Sequence, residues 1–204
     1  MEISVTRGLA ELKLLDKRIN DSMQCAVIGV QQGQKKISEQ FDKDVFEKSC
    51  KSAFDSVKDL IERRKKIKSA IVASNATVKV KIGGTDMTVA EAIERKTAIK
   101  YEQTFLASCK SQLSSCLKTV ESGNEKVKQR LDALLQQNFG KDAKANDSDV
   151  DSISKPFMTN NELKLIDPLG LKSKIDEMEK SIDGFLSEVD YVLSESNTIT
   201  KITI

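Results

Sequence analysis

Apolar residues recur at intervals of three and four along most of this chain, the signature of helices that bury one face. In residues 4–23, Leu9, Leu12, Ile19 and Met23 keep that spacing, Asp16 falls in the same row and Leu15 widens it. Ser4 or Thr6 is placed to cap the start. A second helix is predicted over 43–73, with Phe46, Cys50, Ala53, Val57, Leu60, Ile61, Ile67 and Ile71 as its stripe and Asn75 as its stop. A third pattern runs from Thr88 to about Gln137 through Ala92, Ile93, Lys96, Ile99, Leu106, Cys109, Leu113, Cys116, Leu117, Val120, Val127, Leu131 and Leu134. Some fifty residues of helix would be about 75 Å long, too long to cover its own face, so another helix or another chain must lie along it. Gly123 lowers helix stability by about 1 kcal/mol relative to Ala, which predicts a kink or break at 122–124. A last helix is expected to start at Pro168, its stripe being Leu171, Ile175, Met178, Ile182, Phe185, Val189 and Val192.

Between these stretches the pattern changes. "CAVIGV" at 25–30 and "ELKLID" at 162–167 read as short strands, and "NTITKITI" at 197–204 as a β-rich C-terminal segment. Residues 138–157 are polar and rich in turn formers, and read as a surface loop. The clearest β signal is "TVKVKIGGTDMT", about 77–88. Gly83-Gly84 suits a type I′ turn, whose two central residues both need positive φ. That turn pairs Ile82 with Thr85, Lys81 with Asp86, Val80 with Met87 and Lys79 with Thr88. Val78, Val80, Ile82, Thr85 and Met87 then share one face, and opposite charges meet across the other. Thr88 and Glu91 form a capping box that launches the third helix.

A lone two-stranded hairpin is marginal in water, so its apolar face needs a cover. The stretches 25–30 and 198–204 are expected to supply extra strands, unless a helix or a second copy of the chain does so. Val78, Val80, Ile82 and Met87, together with Ile199, Ile202 and Ile204 of the tail, are therefore the expected packing or oligomer interface. The paired glycines form a tight turn with a strand before the helix, unlike the spaced glycines and Lys-Ser/Thr of a phosphate loop.

Composition narrows the chemistry. The chain has 204 residues, 4% aromatic and without Trp, a balance suited to long paired helices whose seams use Leu, Ile, Val and Ala. Its net charge of +2 implies no polyionic partner. There is no histidine, which removes the commonest general base and the usual Ser-His and Cys-His pairs. No catalytic, cofactor-binding or metal-binding residue is assigned, and no cofactor is expected.

Cys25, Cys50, Cys109 and Cys116 contain no C-x-x-C pair. Cys109 and Cys116 read as small buried seam residues about 10 Å apart on one helix, too far for a bridge. A disulfide requires another element to bring two thiols together. The basic run "ERRKKIK" at 62–68 reads as a solvated helix face, and nucleic acid is not an expected partner. "DSDVDS" from Asp147 opens like a calcium loop, but Ser152 and Met158 stand where Gly and Glu are needed. Tyr101 and Tyr191 are expected to be packing residues. No signal peptide and no run of about 20 apolar residues is present, so a soluble protein in the cytoplasm, or in a particle assembled there, is expected.

Three stretches, "SNATVKVKIGGTDMTVAEAIERKTAIK", "ELKLIDPLGLKSKIDEMEKSID" and "LSESNTITKITI", together resemble a family of small bacterial helical proteins, some of them labelled septicolysin. The resemblance implies an antiparallel coiled-coil-like helical fold with small β elements, and self-association. It implies no activity and assigns no site residues. The stretch "KISEQFDKDVFEKSCKSAF" departs from it.

The expectation is thus a mainly α protein: an antiparallel bundle of long helices in one elongated domain over 1–204, with a β-hairpin and short accessory strands. The expected function is a non-enzymatic structural or assembly protein forming a homo-oligomeric scaffold, such as a component of a phage-like particle. A helical binding module or adaptor for a protein partner is the alternative.

Overall fold

A computed structural model describes residues 1–31, 36–38, 41–140 and 147–204. The order is β1 (Glu2–Ser4), α1 (Val5–Ser22), β2 (Lys36–Ser38), β3 (Phe41–Asp42), α2 (Lys43–Thr77), β4 (Lys79–Ile82), β5 (Thr85–Thr88), α3 (Val89–Phe139), α4 (Asp147–Asn161), α5 (Leu171–Ile199) and β6 (Lys201–Thr203). The protein is mainly α, with long helices packed on each other and small antiparallel strand pairs. Where one domain over 1–204 was expected, the contacts group into two compact units. The first is Met1–Thr97 with Gly184–Ile204, and the second is Ala98–Asp183.

In the first unit, Ser4 caps α1, its Oγ accepting from the Arg7 amide at 3.2 Å. Helices α1 and α2 pack with opposite directions: Glu11 of α1 pairs with Arg63 of α2, while Ala26, beyond the end of α1, lies against Cys50. Their seam holds Val5, Leu12, Leu15, Ile67 and Ile71, joined by Ile3 and Ile202. Each such side chain contributes about 1.5–3 kcal/mol on full burial. Ile3 and Ile202 reach this core because β1 and β6 pair antiparallel, Ile3 opposite Ile202. The expected β-rich tail is thus shorter than 197–204, since α5 continues to Ile199. It pairs with β1 and not with the hairpin.

The hairpin has the register read from its sequence, Lys79 to Thr88, Val80 to Met87, Lys81 to Asp86 and Ile82 to Thr85. Gly83 and Gly84 both have positive φ, 57° and 78°. Its support is α5. A Cβ on Gly83 would stand 3.1 Å from the carbonyl carbon of Gly184 and 3.2 Å from the Phe185 amide nitrogen. The Gly83 amide donates to Glu188 Oε2 at 2.7 Å. Around this contact Ile82, Val89, Ala92, Phe185 and Val189 are all buried, and the Arg95 guanidinium lies 4.5 Å over the Phe185 ring.

The stretch 25–30 forms no strand. Apolar composition suits it to one, but among the described residues no strand pairs with it, and Val27, Ile28 and Val30 remain exposed. The β2–β3 pair had no counterpart in the sequence reading.

In the second unit α3 runs without a break through Gly123. This glycine serves close packing: a Cβ there would meet Leu163 Cδ2 at 2.6 Å. The neighbouring Asn124 amide then treats the chain at Leu163 as a strand would. Its Nδ2 donates to the Leu163 carbonyl at 2.9 Å, and its Oδ1 accepts from the Leu163 amide at 2.8 Å. Residues 162–167 accordingly belong to no sheet, because a side chain takes the place of a partner strand at Leu163.

The loop expected over 138–157 is helical from Asp147, as α4. Val150, Ile153, Phe157 and Asn161 are half-buried at helical spacing, a stripe diluted by polar residues and by Pro156. Residues 141–146 lie outside the described residues. Helix α5 starts at Leu171 and not at Pro168, because Gly170 has φ 62° and Asp167 turns back to accept from the Leu171 amide at 2.8 Å. A Lys110–Glu179 ion pair joins α3 to α5 within this unit.

The two turn glycines separate strain from close approach. Gly84 has nothing within 4 Å of its would-be Cβ. Gly84→Ala should therefore destabilise by only the left-handed backbone penalty, about 1–2 kcal/mol. Gly83→Ala adds a collision with the α5 backbone and should lower the melting temperature clearly further. Equal losses in thermal melts would show that the hairpin does not rest on α5.

Candidate interaction surface

Helix α2 buries Ile67 and Ile71 against α1, yet carries a second apolar row. Phe54, Ile61 and Val72 are 60%, 45% and 55% exposed. Their separations of 7 and 11 residues are close to two and three helical turns, so the three side chains project in one direction. Ile61, Lys65 and Ser69 also line an open hollow of about 670 Å³ with Thr203 and Ile204. The sequence reading placed Ile61 in the buried stripe. The signal that separates them is the 18-residue interval from Phe54 to Val72, five full turns, running beside the row that holds Ile67 and Ile71.

The seven residues expected at an interface fall into three groups. Ile82 and Ile202 are buried inside the first unit, where they fill this chain's own core. Val78, Val80, Met87 and Ile204 are half-buried, and Ile199 is exposed. The hairpin face is therefore largely closed by the chain itself, while the end of β6 stands beside the exposed row of α2.

The basic run is drawn into the packing of α1 on α2. Arg63 Nε donates to Glu11 Oε1 at 2.9 Å, and Arg64 pairs with Asp16, which raises the guanidinium pKa further above its ordinary value. Lys66 pairs with Glu62 at 3.3 Å along the same helix, and the neighbouring Ile67 is buried. Arg63, Arg64 and Ile67 thus face the seam with α1, while Lys65, Lys66 and Lys68 are exposed, as a solvated face requires.

Other expectations change. Cys109 is buried as expected, but Cys116 is exposed, since α3 turns that side to solvent. Cys25 is exposed, and Cys50 is half-buried with its Sγ donating to the Ala26 carbonyl at 3.4 Å. Tyr101 and Tyr191 are both largely exposed and do not pack in the core; the Lys100 ammonium lies 5.1 Å over the Tyr101 ring. The "DSDVDS" stretch lies in helix α4, and no group of three metal-ligating side chains occurs among the described residues. No described helix is long and apolar enough to cross a membrane.

The capping box forms as read. The Thr88 amide donates to Glu91 Oε2 at 2.6 Å, and the Glu91 amide donates to Thr88 Oγ1 at 3.1 Å. Hydrogen bonds from the Thr88 amide and hydroxyl hold the Glu91 carboxyl below its ordinary pKa of 4.5. A depressed carboxylate pKa stabilises the fold above the unfolded pKa, and the gain fades as pH falls through the folded value. Wild type should therefore melt above Glu91→Gln at pH 7, and the gap should shrink progressively below about pH 4.5. A gap that stays constant through acid titration would contradict this role.

No family model, curated protein or solved structure matches this chain.

Proposed function

We propose that this chain is a non-enzymatic structural protein that associates with copies of itself along the outer face of α2. The row of Phe54, Ile61 and Val72 carries the reading, because three large apolar side chains face water from one side of one helix. A helix that is apolar on two sides buries both when a second surface is available. The hollow between α2 and the end of β6 adds Ile204 to that face. A sequence without histidine, with long amphipathic helices, fits a scaffold better than a catalyst. The resemblance to the septicolysin-labelled family points the same way, toward self-association. A place in a larger phage-like particle is the finer form of this reading, and co-sedimentation with purified particles tests it.

Size-exclusion chromatography with light scattering at micromolar concentration should give a mass at least twice the 22.6 kDa of one chain. Phe54→Ser and Ile61→Ser should each weaken association by about tenfold or more, as expected for removing one buried apolar side chain, with helical circular dichroism retained. A wild-type chain that stays monomeric at these concentrations would refute the proposal.

A further inference from the structure

We propose that Cys25 and Cys50 are an oxidisable pair, which a small-molecule disulfide converts into a bridge within the chain. In sequence the irregular stretch after Cys25, β2, β3 and the start of α2 lie between them. The fold brings them together. Cys50 Sγ donates to the carbonyl of Ala26 at 3.4 Å, so its sulfur lies beside the Ala26–Val27 peptide, one residue on from Cys25. Both thiols are free. Cys25 is exposed and open to a reagent from solution, whereas Cys50 is half-buried.

Their settings divide the work. Cys25 is held at the end of α1, its amide donating to the Ser22 carbonyl at 3.2 Å. Cys50 sits on α2, a continuous helix. Between Cys25 and the residues that follow there is no strand ladder to break, because 26–31 belong to no helix or sheet. A disulfide needs Cα atoms about 4.4–6.8 Å apart, and no ladder hydrogen bonds in the 26–31 stretch oppose closing to that span. The remaining thiols have no such arrangement. Cys109 is buried, and Cys116 lies two turns further along the same helix, about 10 Å away.

The chemistry is thiol–disulfide exchange. The Cys25 thiolate attacks a small-molecule disulfide such as glutathione disulfide, forming a mixed disulfide and releasing one glutathione thiolate. The Cys50 thiolate then attacks Cys25 Sγ, forming the Cys25–Cys50 bond and releasing the second. Two protein thiols are oxidised, two glutathione molecules are formed, and the two protons pass to the released thiolates or to water. The bridge fastens the 25–31 stretch, with exposed Val27, Ile28 and Val30, to the start of α2. This inference stands apart from the assembly reading, since it concerns a bond inside one chain.

The test treats the native full chain with glutathione disulfide, traps remaining thiols with N-ethylmaleimide and maps the linked peptides by mass spectrometry. The expected product is a chain that has lost two hydrogens, with Cys25 linked to Cys50 while Cys109 and Cys116 are alkylated. In Cys50→Ser the reaction should stop at a glutathione adduct on Cys25. A Cys109→Ser/Cys116→Ser variant should still form the bridge, and in denaturing urea the preference for this pair should disappear. Separate glutathione adducts on Cys25 and Cys50 in the native wild type, bridges between chains, or the same pairing pattern in urea would each overturn the proposal.

Discussion

The antiparallel pairing of β1 with β6 is the constraint on which the first unit depends. Met1 and Ile204 exchange two backbone hydrogen bonds of 3.0 Å, and the Val5 amide donates to the Thr200 carbonyl at the same distance. These bonds are few, but they place Ile3 and Ile202 over Ile67 and Ile71 and so close the seam between α1 and α2. They also fix the end of α5. Within the same helix Glu188 accepts from the hairpin turn, and Gly184 lets the turn come within backbone contact. Loss of the strand pair would thus expose one core directly and loosen the support of another.

This closure explains why the apolar face of the hairpin does not identify an interface. Ile82 needed a cover, and α5 is that cover. What stays uncovered lies elsewhere, on the side of α2 turned away from α1. Phe54, Ile61 and Val72 form that uncovered row. The ion pairs of Arg63 and Arg64 with α1 fit the same division of the helix. Arg63 and Arg64 are committed to α1, while Phe54, Ile61 and Val72 stay exposed on another side of the same helix.

Features written in local spacing were legible in the sequence. The hairpin register followed from two adjacent glycines and strict alternation around them, and the start of α3 followed from Thr88 and Glu91. The Ser4 cap and the α1 stripe were equally local. Features that depend on tertiary partners were not legible. Residues 25–30 have strand composition, yet among the described residues no strand pairs with them. Gly123 looked like a helix breaker, yet Leu163 occupies the space its missing side chain leaves, and Asn124 fixes the chain beside it. The α4 stripe was hidden by acidic and serine residues and by Pro156, and only the packing of half-buried Phe157 beneath Arg130 shows which face is covered. The second row on α2 was missed because Ile61 fits two spacings at once, and only packing shows which one faces α1. Nearness of Cys25 to Cys50 likewise comes from the chain reversal between α1 and α2.

Native-state amide hydrogen exchange tests the closure most directly. The Val5 amide, bonded across to Thr200, should open only with the helix core, with an exchange free energy within about 1 kcal/mol of that at Ile67 and Ile71. A Val5 amide that exchanges orders of magnitude faster, while Ile67 and Ile71 remain protected, would show that the strand pair is peripheral and does not hold the unit together.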